Sequence, residues 1–74
     1  MTRVHELDDF EEVVGNFKNY QVEETRVVVT FEEGEISIPL SGLRTLSSAR
    51  LKSGNHVSML RIDDDEHPIR VRRL

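Results

Sequence analysis

The run Val27–Leu40, VVVTFEEGEISIPL, admits few folds. Val27, Val29 and Phe31 fall on one face at period two. Ile36, Ile38 and Leu40 resume the alternation after the acidic reversal Glu32-Glu33-Gly34-Glu35. Side chains alternate across a strand with this period, and a glycine in the reversal supplies the positive φ that tight hairpin turns demand. The stretch therefore reads as a β-hairpin. A lone hairpin is barely stable in water, so the remaining sequence must supply strands that pack on its apolar face.

Material for that core is limited. The 74 residues include no Trp and no Cys, and aromatics make up only 5%. The core must be built from Val, Ile and Leu, with neither a disulfide nor a thiolate metal site to brace it, and the length suits one domain. A cysteine-free chain fits a reducing compartment. The acidic start MTRVHELDDFEE lacks the apolar segment of a signal peptide, so a cytoplasmic location is expected. The longest apolar run, Val27-Val28-Val29, is far too short for a helical membrane span.

Before the hairpin, Leu7, Phe10, Val13, Val14 and Phe17 approximate a helical stripe, and Asp8 with Glu11 three residues on resembles a capping box. A short helix over roughly residues 6–12 or a flexible arm both satisfy this pattern. From Val13 to Val22 the spacing turns strand-like but irregular. A bent strand with a glycine and a bulge would bring Phe17, Tyr20 and Val22 to the core. After the hairpin, Leu43, Leu46 and Leu51 predict a short helix with Ser41 as its N-cap. Ser53-Gly54-Asn55 is a turn, and His56–Ile62 is a strand that again admits a bulge. Asp63-Asp64-Asp65-Glu66 is a loop, and Ile69 and Val71 alternate with Arg70 and Arg72 in a last strand through Arg73.

The order is three strands, a short helix and two strands. In so short a chain this favours a small all-β fold: a five-stranded antiparallel β-barrel of the OB type, with its helix between strands three and four. Residues 1–12 form an arm or short helix ahead of a single domain over 13–74. An SH3-like or Sm-like barrel is the alternative, and in the Sm-like case the helix would be carried by Leu7–Phe17.

The second half then resembles bacterial translation initiation factor 1, a single OB-fold protein. The resemblance rests on Glu33-Gly34, on Ser41-Gly42 seven and eight positions later, and on Gly54 thirteen beyond Ser41, followed by Val57-Ser58-Met59. Arg50 falls on an arginine position before the second turn, and Arg70-Val71-Arg72-Arg73 resembles a basic closing strand. Gly15 fits the glycine that opens the first strand, so the match covers residues 15–74. It implies the OB fold and an RNA- or ribosome-associated role in translation. Two features depart from the family: its basic run after Ser-Gly shrinks here to Arg44, and DDDE stands in the loop before the last strand. A looser similarity of Gly34–Ser41 to small bacterial domains implies no activity.

Charge is lopsided. Residues 1–38 hold three basic side chains against ten acidic ones, a net of −7, whereas residues 39–74 hold seven against four, a net of +3. Asymmetry of this kind points to polar partners. The candidate nucleic-acid contacts are Arg44, Arg50, Lys52, Arg61, Arg70, Arg72 and Arg73, since arginine pairs phosphate oxygens bidentately. Stacking platforms are scarce: Phe17 and Tyr20 are candidates, while Phe31 is needed in the core. The same arginines could instead pair with nearby acids, Arg70 with Asp64 or Glu66 for example. The competing reading is a protein-interaction or regulatory domain that offers its acidic N-terminal half, including Glu11, Glu12, Glu23 and Glu24, to a basic partner.

Catalytic signals are weak. His5, His56 and His67 have no ligand spacing, and the serines have no nucleophile elbow or paired base. Asp63–Glu66 lacks the alternating ligands and glycine of a calcium loop. The expectation is a non-enzymatic module without a metal or other cofactor.

Overall fold

The apolar alternation that begins at Val27 forms the middle of the sheet. The structure, a computed structural model, describes residues 4–74. Its strands are β1 (Val4–Glu6), β2 (Glu12–Val22), β3 (Arg26–Phe31), β4 (Gly34–Pro39), β5 (His56–Arg61) and β6 (Ile69–Arg73). A 3-10 turn (Leu40–Gly42) and a helix α1 (Leu43–Ala49) lie between β4 and β5. The six strands form one open sheet in the order β1-β4-β3-β2-β5-β6. The protein is therefore a small, mostly-β domain with one short helix. The expected closed barrel of five strands is corrected to six strands in a sheet that does not close.

β3 and β4 pair from Arg26↔Pro39 to Phe31↔Gly34 around Glu32-Glu33, and Gly34 takes φ +157°. Val27, Val29, Phe31, Ile36 and Ile38 are buried as the alternation requires. Leu40 departs from it: the chain leaves the sheet at Pro39, and Leu40 is exposed on the 3-10 turn.

β2 bends and serves two partners. Glu12–Asn16 pairs with β5, and Phe17–Val22 pairs with β3, with a bulge between Phe17 and Asn19. The bend brings Phe17 into the core, where its ring meets Phe31 edge-on at 6.5 Å. Tyr20 and Val22 do not follow: they pair with Val29 and Val27 of β3, yet both stay exposed.

No helix forms over residues 6–12. Asp8 N–H donates to the Glu11 carboxylate, one half of a capping box, but Glu11 N–H goes to the Asp8 main-chain carbonyl and not to its side chain, so the box is only half formed. These bonds close a turn instead, because Phe10 sits at φ +62°, a left-handed conformation that stops helix propagation, and β-branched Val13-Val14 then start β2. The Leu7–Phe17 stretch thus carries no helix of the Sm-like kind. Ahead of the turn, β1 pairs parallel with β4, and Leu7 anchors it by full burial and an N–H bond to the Ser37 carbonyl. β1 so covers an edge that β4 would otherwise leave open.

Ser41 is not the N-cap of α1. The chain enters through the 3-10 turn, the cap position falls on Gly42, and no side chain bonds there. Arg50 ends the helix in a left-handed conformation, φ +50°. Leu46 drives into the core while Leu43 and Leu51 pack against its edge. Gly42 is wedged between the sheet's two ends: a Cβ there would lie 3.0 Å from Ile38 of β4 and 3.1 Å from Ile69 of β6. The 3-10 turn, rather than strand pairing, fills the gap between β4 and β6. β5 pairs with β2 and β6 without the expected bulge, and Val57, Met59 and Ile69 are buried on its inner side.

Candidate binding surface

The seven cations singled out from the sequence separate into three groups. Arg61, at the end of β5, points inward: its guanidinium Nη1 donates to the Leu7 carbonyl at 2.5 Å, and Nε lies 3.3 Å from the Asp9 carboxylate. Only about a quarter of its side chain is exposed, and its donors fasten the β1–β2 connection. Arg44, Arg50 and Lys52 belong to the helix and the loop after it. Arg44 lines a shallow depression with Leu40, Ser47 and Glu66. Arg70, Arg72 and Arg73 lie together on β6. Among the described residues only Arg61 of the seven makes an ion pair, and the pairing of Arg70 with Asp64 or Glu66 does not form.

Strand register places Arg70 and Arg72 on the outer face of the β2–β5–β6 end of the sheet. Across the three strands the outward rows run Glu12, Leu60, Arg70, then Val14, Ser58, Arg72. Ser58 Oγ donates to Glu12 at 2.7 Å, so Glu12 is held by its own sheet. Exposed Val14 and Leu74 border the arginines.

β6 is also an edge strand. Leu74 N–H bonds the His56 carbonyl and Ile62 N–H bonds the Pro68 carbonyl. In an antiparallel ladder this parity turns the backbone groups of residues 70, 72 and 74 toward β5. Those of Ile69, Val71 and Arg73 turn outward, and β6 has no second strand partner among the described residues. A groove of about 510 Å³ runs along this edge, lined by Thr45 of α1, Asp64 and His67 of the loop, and Ile69–Arg72.

Acidic charge collects elsewhere. A second groove, of about 260 Å³, sets Asp9, Asp63, Asp64 and Asp65 around Arg61 and Pro39. The Asp64 carboxylate accepts the N–H groups of His67 and Glu66, and these bonds hold its pKa below the ordinary carboxylate value, with Arg70 adding a smaller pull. Glu11 is held low in the same way by the Asp8 N–H and then by His5, whose Nε2 lies 2.8 Å away. Glu33 is held low by the Asn16 N–H and side-chain amide. Glu23 pairs with Arg26 at 2.7 Å. Three of the four acids assigned to a partner-binding N-terminal half, Glu11, Glu12 and Glu23, are thus engaged within the fold, and Glu24 alone of that set makes no such contact among the described residues.

The aromatic supply differs from expectation. Phe17 is buried with Phe31, and the exposed rings are Tyr20 and, more fully, Phe10. Phe10 projects from the left-handed turn, a conformation with no sequence signal in a phenylalanine. The open edge of β6 was equally hidden, because it depends on which strand lies beside β4. No group of three or more His, Asp or Glu among the described residues is placed to hold a metal ion, and no described helix is long and apolar enough to cross a membrane. No family model, curated protein or solved structure matches the chain.

Proposed function

We propose that the chain is a non-enzymatic binding module of OB-like architecture that acts on a protein partner. The connectivity supports the architecture. β2, β3 and β4 form a meander, α1 follows, β5 returns to pair with β2, and β6 lies beside β5. The pairing of the last strand with the third that would close such a barrel is replaced by β1 on β4 and by the 3-10 turn.

One observation favours a protein over RNA. An OB-fold binds oligonucleotides on the face of its second and third strands and on the loops joining its first to second and fourth to fifth strands. In this chain those loops carry Glu23-Glu24 and Asp63-Asp64-Asp65-Glu66, and the strand face offers only Arg26, already paired with Glu23. Phosphate binding needs unneutralised cations at the site. Here the site is negative.

RNA, with the ribosome as its natural source, is the second reading. It is favoured by the absence, among the described residues, of ion-pair partners for Arg44, Arg50, Lys52, Arg70, Arg72 and Arg73. An amide-resolved NMR titration with short single-stranded RNA at low and then raised salt separates the two. The protein reading predicts no clustered shifts. Salt-sensitive shifts at Arg50, Lys52, Arg70 and Arg72 would overturn it in favour of RNA.

A further inference from the structure

We infer that the outer edge of β6 receives, by strand addition, an extended segment of a partner protein in which acidic and apolar residues alternate. The inference rests on the protein-partner reading and names the partner's chemistry. Three observations converge on the edge. The N–H and C=O groups of Val71 and Arg73 point outward without a strand partner among the described residues. Main-chain bonds of this kind are what an added strand uses for affinity. The groove beside them is walled by Thr45 of α1 and floored by Ile69 and Val71, giving apolar side chains of the incoming strand a place to enter. On the outer face Arg70 and Arg72 stand without an ion-pair partner among the described residues, and Glu12, the carboxylate of the same rows, is held by Ser58.

Alternation in the ligand follows from strand geometry, since neighbouring side chains of an added strand point to opposite faces. Those on the Arg70/Arg72 face meet guanidinium groups and are acidic. Those between them face the groove and are apolar. Asp64, at the loop end of the groove, repels a carboxylate there and biases the acids toward Arg72.

A second copy of this chain fits poorly. Two β6 strands paired antiparallel would set arginines opposite arginines, and like charges directly across a ladder are destabilising. The other end of the sheet, β1, is only three residues long. Among the described residues β4 cannot supply the strand, because Gly42 and its turn already fill the space between β4 and β6.

The test uses a fluorescent peptide of alternating Glu and Val with blocked ends, titrated into the full chain. Binding is followed by anisotropy and by amide NMR. The expected result is saturable binding, with the largest shifts at Val71 and Arg73. Affinity should fall about tenfold or more in Arg72→Glu, as expected for loss and reversal of a charge-assisted contact. Two controls leave the protein untouched. A peptide N-methylated at the pairing amides, and one of the same composition with its acids in a block, should both bind at least about tenfold more weakly, because each loses either main-chain pairing or the alternation. Equal binding of all three peptides, or no binding of the first, overturns strand addition. Light scattering that finds a dimer, with Val71 and Arg73 at its interface, overturns it in favour of a second copy. Failure of the peptide leaves the protein-partner reading standing unless RNA gives the salt-sensitive shifts described above.

Discussion

Replacing Arg61 with methionine separates a structural arginine from a ligand-binding one. The guanidinium donates to the Leu7 carbonyl at 2.5 Å and faces Asp9 at 3.3 Å. A hydrogen bond from a charged donor contributes roughly 1.5–3 kcal/mol. The Asp9 partner is more than half exposed, so that ion pair adds well under about 1 kcal/mol. Methionine keeps the apolar stem, so little packing is lost. The expected destabilisation is about 2 kcal/mol. Stability for a chain of this length is on the order of 4–11 kcal/mol. Urea denaturation followed by circular dichroism measures the loss as a lower midpoint with an unchanged slope. Hydrogen exchange should also speed up at the Leu7 amide, which bonds Ser37 at the β1–β4 seam. A change below about 0.5 kcal/mol, the usual range for surface substitutions, would mean that Arg61 fastens nothing and return it to the pool of free cations.

Three further outcomes follow from the structure. A Cβ added at Gly15 would lie 2.7 Å from Glu33 Oε1, so Gly15→Ala should push that carboxylate off Asn16. Glu33 should then titrate back toward the ordinary glutamate range in an NMR pH series, and the melting temperature should fall. Phe10→Gly relieves a left-handed conformation that costs an L-residue about 1–2 kcal/mol, partly offset by glycine's freer unfolded chain. A net gain of roughly 0.5 kcal/mol is expected, while Phe10→Ala, which keeps the Cβ, gives none. Glu11, Glu33 and Asp64 have lowered carboxyl pKa values in the folded state, so their stabilisation is present above the ordinary carboxylate range. It is lost as pH drops from about 4 through their lowered values. Urea midpoints should hold between pH 7 and 5 and decline below about pH 4, a decline that Glu33→Gln makes shallower; a flat profile down to pH 2 would contradict this.

Much of the fold was legible because it is local. The Val27–Ile38 hairpin, the inward Ile69 and Val71 of the last strand and the helix carrying Leu46 all follow from side-chain periodicity, and each element forms where that pattern lies. The bend in β2 was legible from the failure of Phe17 and Tyr20 to share one alternation. The rest depends on pairing. Val-His-Glu at 4–6 carries no pattern of its own and becomes a strand only because β4 offers an edge and Leu7 a buried anchor. Of the capping-box signal at Asp8 and Glu11 only the Glu11 side-chain contact formed, and it closed a turn once Phe10 turned left-handed. Arg70, Arg72 and Arg73 could be picked out as a basic strand. That their strand has a bare edge, and that Arg61 is tied to the Leu7 carbonyl, are properties of the assembled sheet.

Amide hydrogen exchange along β6 in the free chain reports whether its outer edge is open. The open edge predicts an alternation: Arg70, Arg72 and Leu74, whose N–H groups face β5, exchange slowly, while Val71 and Arg73 exchange quickly. Protection at Val71 and Arg73 equal to that of their neighbours would mean that β6 pairs on both sides and the barrel is closed. That result would remove the docking edge on which the functional account depends.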